Sequence, residues 1–382
     1  MKNAPANVVI AGYKRSPFCP ANKGALIRVR PDDLTAAVVK ALIAETKVDP
    51  GALEDLILGC AFPEGEQGMN PARLIVLLAG LPQSVCGTTV NRFCGSSMQA
   101  IHMAAGAIQM GAGEAFICAG VESMTRIPMG GFNPSPNPKL VNDAQKAYIA
   151  MGDTAENLAR KYQITRKAQE EFAYASHQKA AAAEAAGKFR DEIAPIETDA
   201  GIVDRDGTIR PDTSLEKLAE LKLAFNQEGT VTAGTSSPLT DGASATLVTS
   251  EEFARASGLP ILARIKSIAV AGCAPEIMGI GPVPAAQKAF ARAGVTMKDI
   301  DIVELNEAFA AQSMAVIRDL GVPAEKLNLD GGAIAIGHPL GASGARITGK
   351  AAALLKREGK QLALATMCIG GGMGIATVLE AA

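Results

Sequence analysis

The stretch Val90-Asn91-Arg92-Phe93-Cys94-Gly95-Ser96-Ser97-Met98-Gln99-Ala100 joins a short β-branched run to a long run of helix-forming residues. Strand Thr88–Asn91 is expected to run into a helix from about Cys94 to Met110, with the cysteine at the junction. Upstream lie a strand at Val8–Ala11, ended by Tyr-Lys-Arg, and a helix over Asp33–Glu45 with Leu34, Val38, Ala41 and Leu42 on one face. Strand Leu56–Ala61 follows, then a helix with Asn70 as N-cap and Pro71 in its first turn. Downstream, Ala115–Ala119 reads as a buried strand.

The same order recurs later. Strand Ile261–Ala271, helix Val283–Ala293, strand Ile302–Leu305, helix Ala308–Leu320, strand Leu327–Asp330, helix Ser343–Arg357 and strand Leu362–Met367 follow in turn. A closing strand, Ile375–Leu379, comes after a few glycines. Its counterpart in the first half is Ala245–Thr249, where an insertion of about 120 residues replaces the short turn, with helices Thr154–Tyr162 and Arg166–Ala186 of its own. The fold class is therefore α/β, with two pseudo-duplicated halves, largely parallel sheets and a loop domain inserted in the first half. The expected division is 1–121, completed by 244–260, then 122–243 and 261–382.

The 37 basic and 39 acidic residues nearly cancel, which argues against a nucleic-acid partner. The amino-terminal apolar run is too short for a signal peptide, and the helix near Leu74–Leu81 is far too short to span a bilayer. A soluble cytoplasmic protein is expected. Seven scattered cysteines without a C-x-x-C pair, and three histidines, fit neither a disulfide framework nor a zinc site.

Reactive sites in such sheets lie beyond the carboxyl ends of strands. A thiol at a helix start is expected to have a lowered pKa; on this segment alone Cys94 reads equally as a buried structural cysteine. His338, in Gly332-Ala333-Ile334-Ala335-Ile336-Gly337-His338-Pro339-Leu340-Gly341-Ala342-Ser343-Gly344, occupies the matching turn of the second half and could take the Cys94 proton. Cys368, in Thr366-Met367-Cys368-Ile369-Gly370-Gly371-Gly372-Met373-Gly374, ends a strand at the same edge and could act as acid and base. No helix follows those glycines, so they do not read as a dinucleotide turn. Asn306, in Asn306-Glu307-Ala308-Phe309-Ala310, reads as an oxyanion donor, a water holder or an N-cap.

These four segments, in this order and spacing, resemble the thiolase family over essentially the whole chain. The resemblance implies that Cys94 carries the acyl group, His338 activates it, and Cys368 moves the proton of the carbon nucleophile or of coenzyme A. It implies one oxyanion hole from His338 and an Asn306-held water, and another from the N–H groups of Cys94 and Gly370. It also implies that Met151, Arg210, Ala233 and Ser237, with Met278, Ala308 and Phe309, line the coenzyme A channel, Arg210 at the nucleotide end.

Within the family the segments around Cys94, Gly234–Gly242 and Met278–Ala285 are most similar to degradative 3-ketoacyl-CoA thiolases. The biosynthetic acetoacetyl-CoA thiolases have a His where this chain has Ala150, and a Ser where it has Lys217. The resemblance thus implies ping-pong thiolysis of 3-ketoacyl-CoA, with acetyl-CoA C-acetyltransferase activity as the alternative. A decarboxylating synthase would carry a His in place of Asn306. A non-catalytic lipid-binding protein of this fold, or a cysteine hydrolase, are the remaining readings. No permanently bound cofactor or metal is expected, coenzyme A is a substrate, and the chain is expected to form a homodimer or homotetramer.

Overall fold

A computed structural model describes residues 6–141 and 146–382. The first half runs β1 (Val8–Arg15), α1 (Pro31–Thr46), β2 (Asp55–Gly59), α2 (Pro71–Leu78), β3 (Cys86–Val90), α3 (Ser96–Gln109), β4 (Ala115–Ser123). Helices α4 (Met151–Tyr162) and α5 (Arg166–Ala185) belong to the segment before β5 (Thr240–Ser250). The second half runs β6 (Ala263–Gly272), α6 (Pro282–Ala293), β7 (Ile302–Leu305), α7 (Ala310–Leu320), α8 (Ser343–Glu358), β8 (Leu362–Ile369), β9 (Met373–Glu380).

One mixed sheet carries both halves, in the order β7-β8-β9-β6-β1-β5-β4-β2-β3, with Cys19–Pro20 pairing beside β5. The halves meet where β1 pairs β6 through Val9 with Arg264 and Ile10 with Ala263. Outward from that seam β1, β5, β4, β2 mirror β6, β9, β8, β7, which is the repeat seen in the sequence.

The expectation of largely parallel sheets needs correction. Only β2·β3, β2·β4 and β7·β8 are parallel, and the other pairings on the main path are antiparallel. For one of the five antiparallel pairs the reason is local: β8 returns as β9 through a turn at Gly370-Gly371-Gly372, where Gly371 and Gly372 take φ of +81° and +85°. A turn that short can only make an antiparallel hairpin.

Two further differences have physical causes. Strand β1 does not stop at Ala11 but continues through Lys14 and Arg15. Arg15 is fully buried and ion-paired with Glu192 at 2.8 Å and Asp206 at 2.6 Å, so its charge does not end the strand. Leu327–Asp330 makes one bridge, Val303 to Leu327, in place of a strand. Asn328 there has φ of +41°, and its carboxamide both accepts from Leu305 N–H and donates to Leu305 C=O at 2.9 Å, standing in for the missing ladder. Asn70 precedes α2 as expected, yet its side chain makes no cap; it binds Gly87 C=O and the Thr89 hydroxyl.

Helices α3 and α8 are the buried pair. Helix α8 packs against β1, β5 and β4 of one half and β7 and β8 of the other, as well as against α3. Their first turns nearly touch, because a Cβ on Gly344 would lie 2.4 Å from the Met98 nitrogen. The Ser97 hydroxyl accepts from Ala345 N–H at 2.8 Å across that contact. The loops that lead into the two helices, one carrying Cys94 and the other His338, are thereby brought to one place.

Candidate active site

Cys94 lies one residue before the N-cap, Gly95, so α3 starts two residues later than expected. The loop is tied on both sides. Asn91 accepts Phe93 N–H at 2.7 Å and donates to Ala61 C=O, while the Ser96 hydroxyl accepts Arg92 N–H and donates to Phe93 C=O at 2.6 Å. The backbone N–H of Gly370 lies near enough to the Cys94 sulfur to favour its thiolate.

The expected acidification of this thiol is overturned. Burial pushes Cys94 up to about 12, and the buried Glu122 carboxylate adds to the rise, against a smaller lowering by the Gly370 N–H. The partial charge at a helix start is too small to outweigh that loss of solvation.

His338 is buried, and burial with the nearby positive Arg346 lowers it to about 3, so the ring is neutral. Its tautomer follows from its partner. Nδ1 lies 2.5 Å from the Ser343 hydroxyl, which spends its own proton on Pro339 C=O at 2.9 Å. With the hydroxyl proton on Pro339 C=O, Nδ1 donates to Ser343 and Nε2 turns its lone pair toward Asn306 Nδ2. Asn306 Nδ2 approaches Nε2 at 3.3 Å, and Asn306 Oδ1 is buried without a partner among the described residues. Leu340, two residues past His338, packs in one apolar group with Cys94 and Phe62.

Cys368 is the penultimate residue of β8, where burial, and then the neighbouring Cys94, push its thiol well above the usual range. The Asn306 N–H donates to Thr366 C=O, which fixes the end of β7 beside Cys368. Thus Cys94, Gly370 and Cys368 share one end of the sheet, and His338 with Asn306 stands beside them.

Five of the residues assigned to a coenzyme channel also gather here. Met151, Met278, Ala308 and Phe309 pack around Cys368 with Ala155 and Val231, and Ser237 donates to Ala308 C=O through N–H and hydroxyl at 3.0 and 3.1 Å. The other two, Arg210 and Ala233, line an adjoining cleft of about 470 Å³ together with Ser236, Pro238 and Leu239. Lys217 lines the same cleft, paired with Asp212.

Two site residues were not singled out from the sequence. Ser343 holds His338 by its ring, and the only signal for it in the sequence is a hydroxyl five residues after the histidine. Glu122 is buried and accepts from the N–H groups of Ala61, Phe62 and Gly341 and from Gln67, tying the loop after β2 to the His338 loop. An acidic residue at the end of an apolar strand was the clue. Among the described residues no His, Cys, Asp and Glu group could hold a metal ion, and no helix is long and apolar enough to cross a membrane.

The family model for the thiolase N-terminal domain matches residues 8–252, and that for the thiolase C-terminal domain matches residues 259–381. The chain belongs to the thiolase family. By that membership it is an acyltransferase. It is 52% identical to a 3-ketoacyl-CoA thiolase of Shewanella loihica, over 98% of this chain and 99% of that one. A 3-ketoacyl-CoA thiolase of Bacillus subtilis is 47% identical over 97% and 98% of the two chains. The solved structure of human mitochondrial 3-ketoacyl-CoA thiolase in complex with CoA superposes with a TM-score of 0.91 at 39% identity, covering 99% of this chain and 98% of that one.

Proposed function

We propose that the chain cleaves 3-ketoacyl-CoA with coenzyme A, yielding acetyl-CoA and an acyl-CoA two carbons shorter, by a ping-pong route through an acyl group on Cys94. The observation that carries this reading is the Cys94 thiol close enough to Cys368 to push that second thiol up, beside a buried imidazole held neutral and anchored at Nδ1 by Ser343.

In the first half-reaction His338 Nε2 takes the Cys94 proton as the sulfur bonds to the 3-keto carbon. The C2–C3 bond then breaks, its electron pair leaves on the acetyl-CoA enolate, and the Cys368 thiol protonates C2. In the second half-reaction coenzyme A gives its thiol proton to Cys368, its sulfur displaces the acyl group from Cys94, and the departing Cys94 thiolate takes its proton back from His338. The N–H groups of Cys94 and Gly370 face the acyl oxygen. His338, carrying the proton, and a water on Asn306 face the enolate oxygen; the unpartnered Asn306 Oδ1 supports a water there.

Coenzyme A is a substrate on this reading, and no permanent cofactor is needed. Met151, Met278, Ala308, Phe309 and Ser237 would hold its pantetheine arm, with Arg210 and Ala233 toward the nucleotide. Residues 1–121 with 244–260, 122–243 and 261–382 are assigned as the two halves and the inserted loop domain. Seven free cysteines suit a reducing cytoplasm. Assembly as at least a homodimer is supported by the unpaired edge of β3 and by exposed apolar residues on the two helices packed against that strand, Leu77 of α2 and Met103 of α3.

The test is thiolysis across 3-ketoacyl-CoA substrates of rising length. Substrates longer than acetoacetyl-CoA should be cleaved with at least comparable kcat/KM. Activity confined to acetoacetyl-CoA would make the chain an acetyltransferase, and release of free acid without added coenzyme A would make it a hydrolase.

A further inference from the structure

Phe93 precedes the nucleophile with φ of +43°, a left-handed conformation that a bulky side chain adopts only when its surroundings insist. They do so through the Asn91 and Ser96 hydrogen bonds on either side of it. Glycine or asparagine would take that backbone freely, so the phenyl ring calls for a reason of its own. The ring is 38% exposed and contributes little to the core. It leans on Phe62, with centroids 6.2 Å apart, and a Cβ on Gly370 would lie 3.9 Å from it. The strained residue therefore holds an open aromatic face next to both the reactive sulfur and the N–H that would bind the acyl oxygen.

On the proposed thiolytic reading, the substrate reaches Cys94 with its coenzyme arm along Ser237, Ala308 and Phe309. The carbon chain on the far side of the 3-keto carbon needs a second apolar surface, since the arm fills the first. Phe62, Met124 and Leu340 pack with Cys94, and Phe93 leans on Phe62 from the exposed side. We propose that Phe93, backed by Phe62, is the specificity-determining wall on which the acyl chain lies from its fourth carbon onward. A linear alkyl chain gains contact with each added methylene against such a wall, while acetoacetyl-CoA, with one methyl beyond the keto carbon, gains almost none.

The experiment compares the parent with Phe93→Gly, which relaxes the backbone, and Phe93→Leu, which keeps an apolar side chain. The readout is the ratio of kcat/KM for 3-ketodecanoyl-CoA to that for acetoacetyl-CoA. Phe93→Gly should lower this ratio about tenfold, mainly through KM for the longer substrate, the discrimination that a methylene or two of contact supplies. Phe93→Leu should recover part of it. A ratio within twofold of the parent in both variants, or equal loss on both substrates, overturns the assignment of Phe93. A parent enzyme that cleaves neither substrate overturns instead the thiolytic reading on which it rests.

Discussion

Replacing Ser343 with alanine tests the assignment of His338 as the base more finely than replacing the histidine. The Ser343 hydroxyl accepts from Nδ1 at 2.5 Å and donates to Pro339 C=O. Without it the buried Nδ1–H has no acceptor, which costs ~1–3 kcal/mol. The ring can escape that cost by moving its proton to Nε2, where it can no longer receive the Cys94 proton. At about 1.4 kcal/mol per factor of ten, acylation of Cys94 should slow roughly ten- to a hundredfold. The fold should lose far less. Pro339 C=O still accepts from Ala342 and from the residue 343 N–H at 3.0 Å each. Rapid-quench measurement of acyl-enzyme formed from acetyl-CoA gives the rate, and a thermal melt gives the stability. Acylation within twofold of the parent would refute the tautomer assignment, and a collapsed melting temperature would show that the fold itself depends on this hydroxyl, against the expectation.

Three other outcomes are expected. With His338 lowered to about 3 it is a free base throughout the neutral range, so the acylation rate should show no acid limb near the ordinary histidine pKa of ~6.5; a limb there would contradict its buried, neutral state. Cys368→Ala should keep far more acetyl exchange between acetyl-CoA and labelled coenzyme A than deuterium exchange into the acetyl methyl, and parent-rate deuterium exchange would remove Cys368 as the carbon acid–base. Burial alone would raise Asp330, but Arg357 and Lys350 hold it down at about 2, below the ordinary aspartate value of ~3.9. Its folded pKa is depressed, so its stabilisation, about 2 kcal/mol, is present above the unfolded pKa and lost as pH falls from about 4 through about 2. Urea unfolding across that window should show the loss in the parent and not in Asp330→Asn; identical slopes would count against the buried ion pairs.

Much of the fold was legible because each half repeats the same hydrophobic periods. Helices such as α6 and α8 fall within a residue of their expected ends, since glycine or proline punctuates them. The strands were harder. Lys14 and Arg15 looked like a strand end because the partners that neutralise Arg15, Glu192 and Asp206, lie 177 and 191 residues further along. Leu327–Asp330 alternates apolar and polar residues as a strand does, but the Asn328 side chain supplies the pairing that a backbone strand would have made. Strand direction was not legible because alternation of strands and helices does not say which strands become neighbours: β5 lies antiparallel to β4 and β1, and β9 to β8 and β6.

At the site, the glycine-rich turns around Cys94, His338 and Cys368 stood out locally. The thiol's pKa did not, since it depends on burial by elements from both halves. The role of Ser343 needed three-dimensional distances, and Glu122 binds loops that no sequence spacing brings together.

The central claim is that Cys94 carries the acyl group. Incubating the protein with acetyl-CoA, quenching in acid, digesting and weighing the peptides reads this out directly. One acetyl group on the peptide containing Cys94, removed when free coenzyme A is added before the quench, is the predicted result; an acetyl group on Cys368 or any other residue, or none at all, would contradict the account.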